Sequence, residues 1–218
     1  MTRDQFQDQI SDLSERVTDM WGHAKGMLED GVRAFETLDL GLAEEVDERK
    51  ERLADLDEEI EMQALRLLAL QQPIAGDLRR IGATLKLITY INRIGRYGRD
   101  IGNVVKAWPE GQPHVMDLVD LPVMAEVVDR MVAIVLDAFR AEKAPDLEEL
   151  TRLEDRCDAM RRQVWRVCLS YMAQDPRNIE ACAHYMMVAR YLERCGDNVC
   201  KMAEKTVYAF AGKRVIVK

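Results

Sequence analysis

The chain has 218 residues, enough for one large domain or for two domains of roughly 100 residues each. Apolar residues make up 48% of it, and only 12 Gly and 6 Pro are present, which excludes collagen-like and low-complexity chains and disfavours a protein of many β-hairpins. The formal net charge of −8 argues against general nucleic-acid binding, which depends on a cationic surface.

Membrane-directing segments are not apparent in the sequence. No uncharged apolar run approaches the ~20 residues that cross a bilayer, and the first ten residues, MTRDQFQDQI, are too polar and acidic for a signal peptide. We therefore expect a cytoplasmic protein. The cysteines are odd in number and form no C-x-x-C pair, so we expect reduced thiols in the core: Cys157, Cys168, Cys182, Cys195 and Cys200.

Apolar residues recur at helical spacing through most of the chain and predict six long helices. In the first half the helices are predicted at about 6–38, 42–72 and 73–108. Pro73 is placed in the first turn of the third helix, where proline is tolerated. The cluster PEGQP at 109–113 predicts a connector. In the second half the helices are predicted at about 121–143, 146–174 and 177–210.

The two halves of the chain repeat each other. Residues 68–73 (LALQQP) match 171–176 (YMAQDP), and residues 90–96 (YINRIGR) match 191–197 (YLERCGD). A repeat of three long helices predicts an all-α fold of two tandem three-helix bundles. The first domain is predicted to span residues 1–108, a linker to span 109–114, and the second domain with a C-terminal tail to span 115–218.

Charge is distributed unevenly between the second and third predicted helices. Residues 41–72 contain ten acids and four bases, whereas residues 73–107 contain seven bases and two acids. Opposite charge predicts that these helices pack side by side, since weak surface attractions add up over several turns. Two independently solvated helices are the alternative.

An acidic residue interrupts the apolar face predicted for the sixth helix. Glu193 falls at a core position there, and Asp197 follows one turn later on the same side. Glu154 and Asp158 have the same spacing on the flank of the fifth helix. If the two helices pack antiparallel, the four carboxylates converge, and such oxygen clusters inside helical bundles can hold divalent or trivalent metal ions.

Salt bridges are the alternative interpretation of the same residues. Cations from the same two helices are near enough in sequence to pair with the four acids: Arg161, Arg162, Arg190 and Arg194. Spacing alone leaves both interpretations open. Cys182 and Cys200 share the apolar face of Glu193 and could add a thiolate ligand for zinc or iron, with core packing as the simpler role.

Three segments of the sequence resemble one known family. Residues 65–81 (LRLLALQQPIAGDLRRI), 192–197 (LERCGD) and 207–213 (VYAFAGK) are similar to sequence signatures of the PhoU family. Its members are regulatory proteins of bacterial and archaeal phosphate-transport systems. With the internal repeat, the resemblance covers nearly the whole chain, and it implies six helices in two repeats.

The resemblance also implies multinuclear sites of iron or zinc, built in each repeat from acidic pairs on two helices. In the second repeat the matching positions are all acidic: Glu154, Asp158, Glu193 and Asp197. In the first repeat the matching positions lack carboxylates: Lys50, Ala54, Asn92 and Arg96. We therefore predict one metal site per chain rather than two.

The cationic residues of the altered first repeat suggest two roles. Lys50 and Arg96 could replace the charge of the missing metal ion, held by Asp47, Glu51 or Asp100. An anion pocket, for phosphate itself, is the alternative. The sequence offers no Gly-rich phosphate-binding loop in its support.

The function implied by the resemblance is regulation of phosphate uptake through protein contacts, without enzymatic turnover. The implied partners are the ATPase subunit of the phosphate ABC transporter and, in many bacteria, the phosphate-sensing histidine kinase. A homodimer is also implied. We expect no nucleic-acid partner and no direct insertion into the membrane.

Two other functions remain open from the sequence. A metal-free helical adaptor would use the acidic pairs only in salt bridges. A carboxylate-bridged di-iron enzyme would need Glu-x-x-His on two helices, whereas His184 follows Glu180 at a spacing of four.

Overall fold

Six segments of the chain bury one helical face, and each forms a long helix in a computed structural model that describes residues 3–71, 73–109, 111–118 and 120–217. The helices are α1 (Arg3–Thr37), α2 (Leu40–Gln71), α3 (Ala75–Lys106), α4 (Asp120–Arg140), α5 (Leu147–Gln174) and α6 (Ile179–Ala211). A 3₁₀ turn, Pro176–Asn178, precedes α6. The described residues contain no β-strand, so the predicted all-α class is confirmed.

Local capping explains where several helices begin and end. Asp146 caps α5, because its side chain accepts hydrogen bonds from the backbone N–H groups of Glu148 and Glu149 at 3.1 and 3.0 Å. Gly212 ends α6 in the left-handed conformation, at φ 66°, which costs glycine little.

Several predicted boundaries differ from those observed by two or three residues, and two of them have a local cause in the backbone. α3 begins at Ala75 instead of Pro73, because Ile74 keeps an extended backbone with ψ 167°. α4 ends at Arg140 instead of residue 143, because Glu142 adopts a φ of 51°, which cannot continue a right-handed helix. The predicted end of the second helix at residue 72 lies outside the described residues.

The helices form two bundles that pack on each other. α1, α2 and α3 contact one another, as do α4, α5 and α6, which confirms the predicted tandem bundles. α3 also packs along α6, and α1 along α4. α3 and α6 run antiparallel, since Arg79 near the start of α3 lies beside Gly212, while Tyr97 stacks on Tyr191 with ring centroids 5.8 Å apart.

The buried side chains of all six helices belong to one continuous core. No helix in the described ranges combines the length and apolar character needed to cross a bilayer. The domain boundaries proposed from the sequence, 1–108 and 115–218 around a linker at 109–114, stay predictions. Residues 1, 2, 72, 110, 119 and 218 of those segments lie outside the described residues.

The acidic α2 and the basic α3 do pack side by side, although their charges are only partly paired with each other. Lys106 of α3 lies 3.0 Å from Asp47 of α2. Other charges of these helices pair with residues outside α2 and α3. Glu59 of α2 pairs with Arg16 of α1 at 3.3 Å, and Arg80 of α3 pairs with Glu142, which follows α4. The predicted pairing of α2 with α3 is confirmed, and charge pairing between the two helices accounts for only part of their contact.

Candidate functional site

The four acidic residues of the second repeat lie together where α5 contacts α6. Glu154 and Asp158 are one turn apart on α5, as are Glu193 and Asp197 on α6. Burial raises the pKa of the Cys157 thiol to about 12, and the four carboxylates add to this effect. Both acidic pairs therefore lie near Cys157, at the contact between α5 and α6.

The two glutamates are buried differently from the sequence prediction, which put Glu193 in the core and Glu154 on a flank. Glu154 is buried, whereas Glu193 is only half-buried. Burial raises the pKa of Cys200 on α6 to about 12, and the charge of Glu154 adds to this effect. Apolar periodicity does not fix the rotation of α5 about its own axis. This rotation accounts for the difference between the predicted and the observed burial of Glu154.

Arginines accompany the acidic cluster. Arg161 of α5 places Nε 3.6 Å from Glu193 Oε1, and Arg194 places Nε 3.6 Å from Glu193 Oε2. These distances are those of ion pairs without good hydrogen bonds, and Glu193 Oε2 is buried with no hydrogen-bond partner among the described residues. Arg194 also lies 3.1 Å from Asp197. The salt bridges considered as the alternative to a metal site are thus present.

The electrostatics of Glu193 favour an added cation. Burial and then repulsion from Asp197 raise the pKa of Glu193, and Asp158 adds to the repulsion, while Arg194 and Arg161 oppose it. The arginines therefore do not fully compensate the cluster. Carboxylate oxygens are also suitable ligands for a hard metal ion.

The arrangement of the cluster is not that of a formed metal site. Within the described ranges, no group of three or more His, Cys, Asp or Glu side chains is close enough together to hold a metal ion. The donor set fits a metal ion by its chemistry and its charge. Arg161 and Arg194 lie beside Glu193, one of the four carboxylates that would hold the ion.

The matching positions of the first repeat hold other contacts. Lys50 lies 3.4 Å from Asp47, one of the partners proposed for it, while Ala54 and Arg96 are exposed. Asn92 of α3 lies beside the half-buried Asp57 of α2. Burial and then Glu61 raise the pKa of Asp57, and the side chain of Asn92 opposes the shift.

This Asp57–Asn92 contact stands where Arg161 meets Glu193 in the second repeat. The two repeats therefore pack the equivalent helices against each other in the same way, but the side chains at this contact differ in chemistry. A cation–carboxylate pair in one repeat corresponds to a carboxylate–amide pair in the other.

Cys182 and His184 are placed less favourably for binding a metal ion than the four carboxylates. The pKa of Cys182 is raised by burial, and Cys182 shares a hydrogen bond with Cys168 rather than facing the acidic cluster. His184 lies against the ring of Trp108, with centroids 5.5 Å apart. All five cysteines are free and buried, as predicted. Of these thiols, Cys157 and Cys200 lie nearest the acids.

The sequence did not predict two features, one at the acidic cluster and one at the connector. Cys157 lies within the turn that separates Glu154 from Asp158, a spacing that could have placed it at the centre of the cluster. His114, in the connector, lies 2.9 Å from the carbonyl oxygen of Phe35 and 3.1 Å from Tyr185 Oη. No pattern in the sequence points to that second contact, because the residues are 71 positions apart.

Comparison with known proteins matches this architecture. The PhoU domain model matches the chain twice, over residues 17–105 and 121–206. A Clostridium acetobutylicum protein named phosphate-specific transport system accessory protein PhoU homolog is 30% identical, over 99% of this chain and 98% of its own length. A protein of the same name from Caulobacter vibrioides is 32% identical, over 96% and 91%.

Solved structures agree with the sequence matches. The crystal structure of PhoU from Pseudomonas aeruginosa superimposes with a TM-score of 0.90 at 27% identity, over 95% of this chain and 100% of that one. PhoU from Streptococcus pneumoniae has the same fold, with a TM-score of 0.85 at 20% identity, over 96% and 99%. The two matches to the domain model cover both repeats, and the chain therefore belongs to the PhoU family.

Proposed function

We propose that this protein is a cytoplasmic, metal-binding regulator of phosphate uptake and of phosphate-responsive signalling. The observation that carries the proposal is full-length similarity to proteins named as accessory proteins of phosphate-specific transport. The family is one of transport accessory proteins and not of enzymes. The protein would accordingly act by contacting other proteins.

The proposed partners are components of phosphate transport and sensing. They are the ATPase subunit of a phosphate ABC transporter and a phosphate-sensing histidine kinase, and the protein also self-associates, with a homodimer as the expected form. The names of the relatives support the association with phosphate transport. The particular contacts follow from the family resemblance of the sequence.

The proposed metal site comprises Glu154, Asp158, Glu193 and Asp197, with iron or zinc as the metal. Repulsion among these carboxylates supports the proposal, because a bound cation would relieve it. When bound, the metal would neutralise the cluster and couple α5 to α6. Lys50 and Asn92 make a second such site in the first repeat unfavourable.

Metal content per chain tests this site. We expect one site per chain in purified protein and its loss in the double variant Glu193→Ala plus Asp197→Ala. The matched control is Glu44→Ala plus Glu48→Ala, an exposed acidic pair of the same spacing on α2. Wild-type protein that binds no added iron or zinc would contradict the site, and a second site per chain would contradict the inactive first repeat.

A metal-free helical adaptor is the second candidate function. The pairing of Glu193 with both Arg161 and Arg194 favours it, since the arginines already supply cations to the cluster. In cells, deletion of the gene should change phosphate uptake or phosphate-dependent expression under either candidate. Restoration by the Glu193→Ala plus Asp197→Ala variant would favour the adaptor. An unchanged phosphate response on deletion would contradict the regulatory role itself.

A further inference from the structure

A cationic pocket of about 630 Å³ lies between α3, α6 and the segment 213–217 that follows α6, here called the tail. Six of the residues that line it can carry a charge or form side-chain hydrogen bonds: Lys86, Tyr90, Glu204, Lys205, Tyr208 and Arg214. Three of these six are cations and one is an acid, although the formal net charge of the chain is −8. Positive charge is therefore concentrated at this pocket against the overall charge of the protein.

Each of the three elements around the pocket supplies one cation. Lys86 lies on α3, four residues before Tyr90, and Lys205 lies on α6, three residues before Tyr208. At these spacings, the cation and the tyrosine of each helix share one face. Arg214 belongs to the tail. The pocket is thus formed by the packing of α3 along α6, and no short segment of the sequence contains it.

The tail is attached to α6 on both sides of the pocket. Val217 is buried and donates its backbone N–H to Glu204 Oε1 at 3.2 Å. The guanidinium group of Arg214 lies over the ring of Tyr208, 5.7 Å from the ring centroid. Such a cation–π contact orients an arginine without occupying its N–H donors in an ion pair. Arg214 is therefore positioned at the pocket with its hydrogen-bonding groups still available.

The acid of the pocket is already neutralised within the chain, whereas the cations are not. Glu204 is buried, and its Oε1 lies 2.8 Å from Lys201 Nζ. The only ion pair of Lys205 among the described residues is a contact of 3.9 Å with Glu204 Oε2. No ion pair in the described ranges includes Lys86 or Arg214. The pocket therefore keeps a surplus of positive charge that a bound anion would balance.

The chemistry of the pocket is that of a hydrogen-bond donor set. Ammonium and guanidinium groups only donate, and the tyrosine hydroxyls can donate as well. Phosphate oxygens accept such bonds, and guanidinium groups bind them in a bidentate manner. The volume falls within the ~300–1,000 Å³ of pockets that hold small organic molecules, so the space exceeds what one phosphate ion fills. Three cations also match more than one phosphate group.

We propose that this pocket binds a small molecule with two or more linked phosphate groups, such as pyrophosphate or a nucleoside polyphosphate. Arg214 would bind one phosphate group through its guanidinium fork, and Lys86 and Lys205 would bind from the two helices as point charges. The ligand would thereby connect α3, α6 and the tail. This inference goes beyond the proposed function and does not depend on it.

Isothermal titration calorimetry on the purified full chain tests the pocket with ATP, pyrophosphate and inorganic phosphate, as sodium salts without added metal ions. We expect one site per chain for ATP and pyrophosphate, and at least ~10-fold weaker binding of inorganic phosphate, which engages fewer of the cations. Tighter binding of ATP than of pyrophosphate would assign the site to a nucleotide, and equal binding would assign it to the linked phosphates alone. Both affinities should fall between about 0.05 M and 0.5 M salt.

Variants of the cations show whether binding occurs in this pocket. Lys86→Ala plus Lys205→Ala should weaken the binding of pyrophosphate ~100-fold, because one hydrogen bond to a charged group contributes roughly a factor of 10. Arg214→Lys keeps the charge but loses the guanidinium fork, so it should bind more weakly than wild type and more tightly than Arg214→Ala. Circular dichroism confirms that each variant is folded.

Two control variants exclude other sites on the chain. Lys50→Ala plus Arg96→Ala makes the same charge change at exposed cations, and it also removes the alternative anion pocket of the first repeat. Glu193→Ala plus Asp197→Ala removes carboxylates of the proposed metal site. Both should bind pyrophosphate as wild type does. Loss of binding in either control would place the anion elsewhere and overturn the proposed pocket.

Three further results would overturn the proposal. They are a wild-type chain that binds neither ATP nor pyrophosphate, unchanged binding in Lys86→Ala plus Lys205→Ala, and inorganic phosphate that binds as tightly as pyrophosphate. None of them would affect the phosphate-regulatory role, because that role is measured in cells by deletion of the gene.

Discussion

Gly31 of α1 and Gly98 of α3 bring the backbones of their helices into direct contact. A Cβ added to Gly98 would lie 2.6 Å from the backbone N of Leu28, and one added to Gly31 would lie 2.9 Å from the carbonyl carbon of Gly98. Both distances are shorter than any ordinary contact of a side chain with a backbone. The close packing of α1 on α3 therefore depends on the absence of side chains at this crossing.

Replacing Gly98 by alanine should therefore destabilise the protein strongly. We expect Gly98→Ala to lower the free energy of unfolding by about 3 kcal/mol, because rigid backbone must move to admit the methyl group. Gly22→Ala is the control on α1, since no atom lies within 4 Å of the added Cβ, and it should stabilise by ~0.5–1 kcal/mol. Urea unfolding measures the change in unfolding free energy for both variants. Equal changes would contradict the close contact between the backbones of α1 and α3.

Removing the Tyr185 hydroxyl should loosen the connector. Tyr185 Oη accepts a hydrogen bond from the N–H of Val115 at 3.0 Å and donates to His114 Nδ1 at 3.1 Å. Tyr185→Phe leaves both groups without this partner and should cost about 1–3 kcal/mol in urea unfolding. Tyr208→Phe, at a partly exposed ring, should change stability by less than ~0.5 kcal/mol. A comparable loss of unfolding free energy in both variants would show that the hydrogen bonds of the Tyr185 hydroxyl do not stabilise the connector.

Acidification should weaken the fold through His114. Burial lowers the pKa of His114 below its ordinary 6.5, although the carbonyl of Phe35 opposes the shift. As the pH falls below 6.5, His114 takes up a proton in the unfolded chain before it does so in the folded protein. The stability that is present above pH 6.5 is therefore lost as the pH falls through the lower pKa of the folded state. The slope of unfolding free energy between about pH 7.5 and 5.5 should be smaller in His114→Gln. An unchanged slope would exclude this group as the source.

In metal-free protein, Glu193→Gln should be stabilising at neutral pH. Burial and then Asp197 raise the pKa of Glu193 above its ordinary value of 4.5. The folded protein therefore favours the protonated carboxyl, and this stabilisation is fully present below pH 4.5. It is lost as the pH rises through the pKa of the folded state. The gain from Glu193→Gln should therefore shrink as the pH is lowered from 7 to 4. Glu45→Gln, an exposed control, should change little. A gain independent of pH would contradict the electrostatic cause.

The cysteines should be unreactive in the folded protein. Burial raises the pKa of Cys157, Cys168 and Cys200 to about 12, so the reactive thiolate is scarce at pH 8. All five thiols should react with a disulfide reagent only after unfolding. Rapid labelling of native protein would show that α5 and α6 open readily.

The sequence by itself determined the helices, their order and the repeat, because apolar spacing at 3.6 residues and the local chemistry of residues such as Asp146 and Gly212 are properties of short segments. It also placed Glu154 and Glu193 on helices that could meet. Two of the predicted helix boundaries were wrong for reasons that are also local. The backbone of Ile74 and Glu142 is not helical, and no apolar pattern in the sequence indicates this.

Only the tertiary structure decided how the helices rotate and slide against one another. The burial of Glu154, the approach of Arg161 to Glu193 and the contact of Gly31 with Gly98 all depend on that rotation and offset. Periodicity identifies the buried side of each helix within a broad arc. The final degree of rotation comes from the fit of side chains across the interface, which involves residues far apart in the chain.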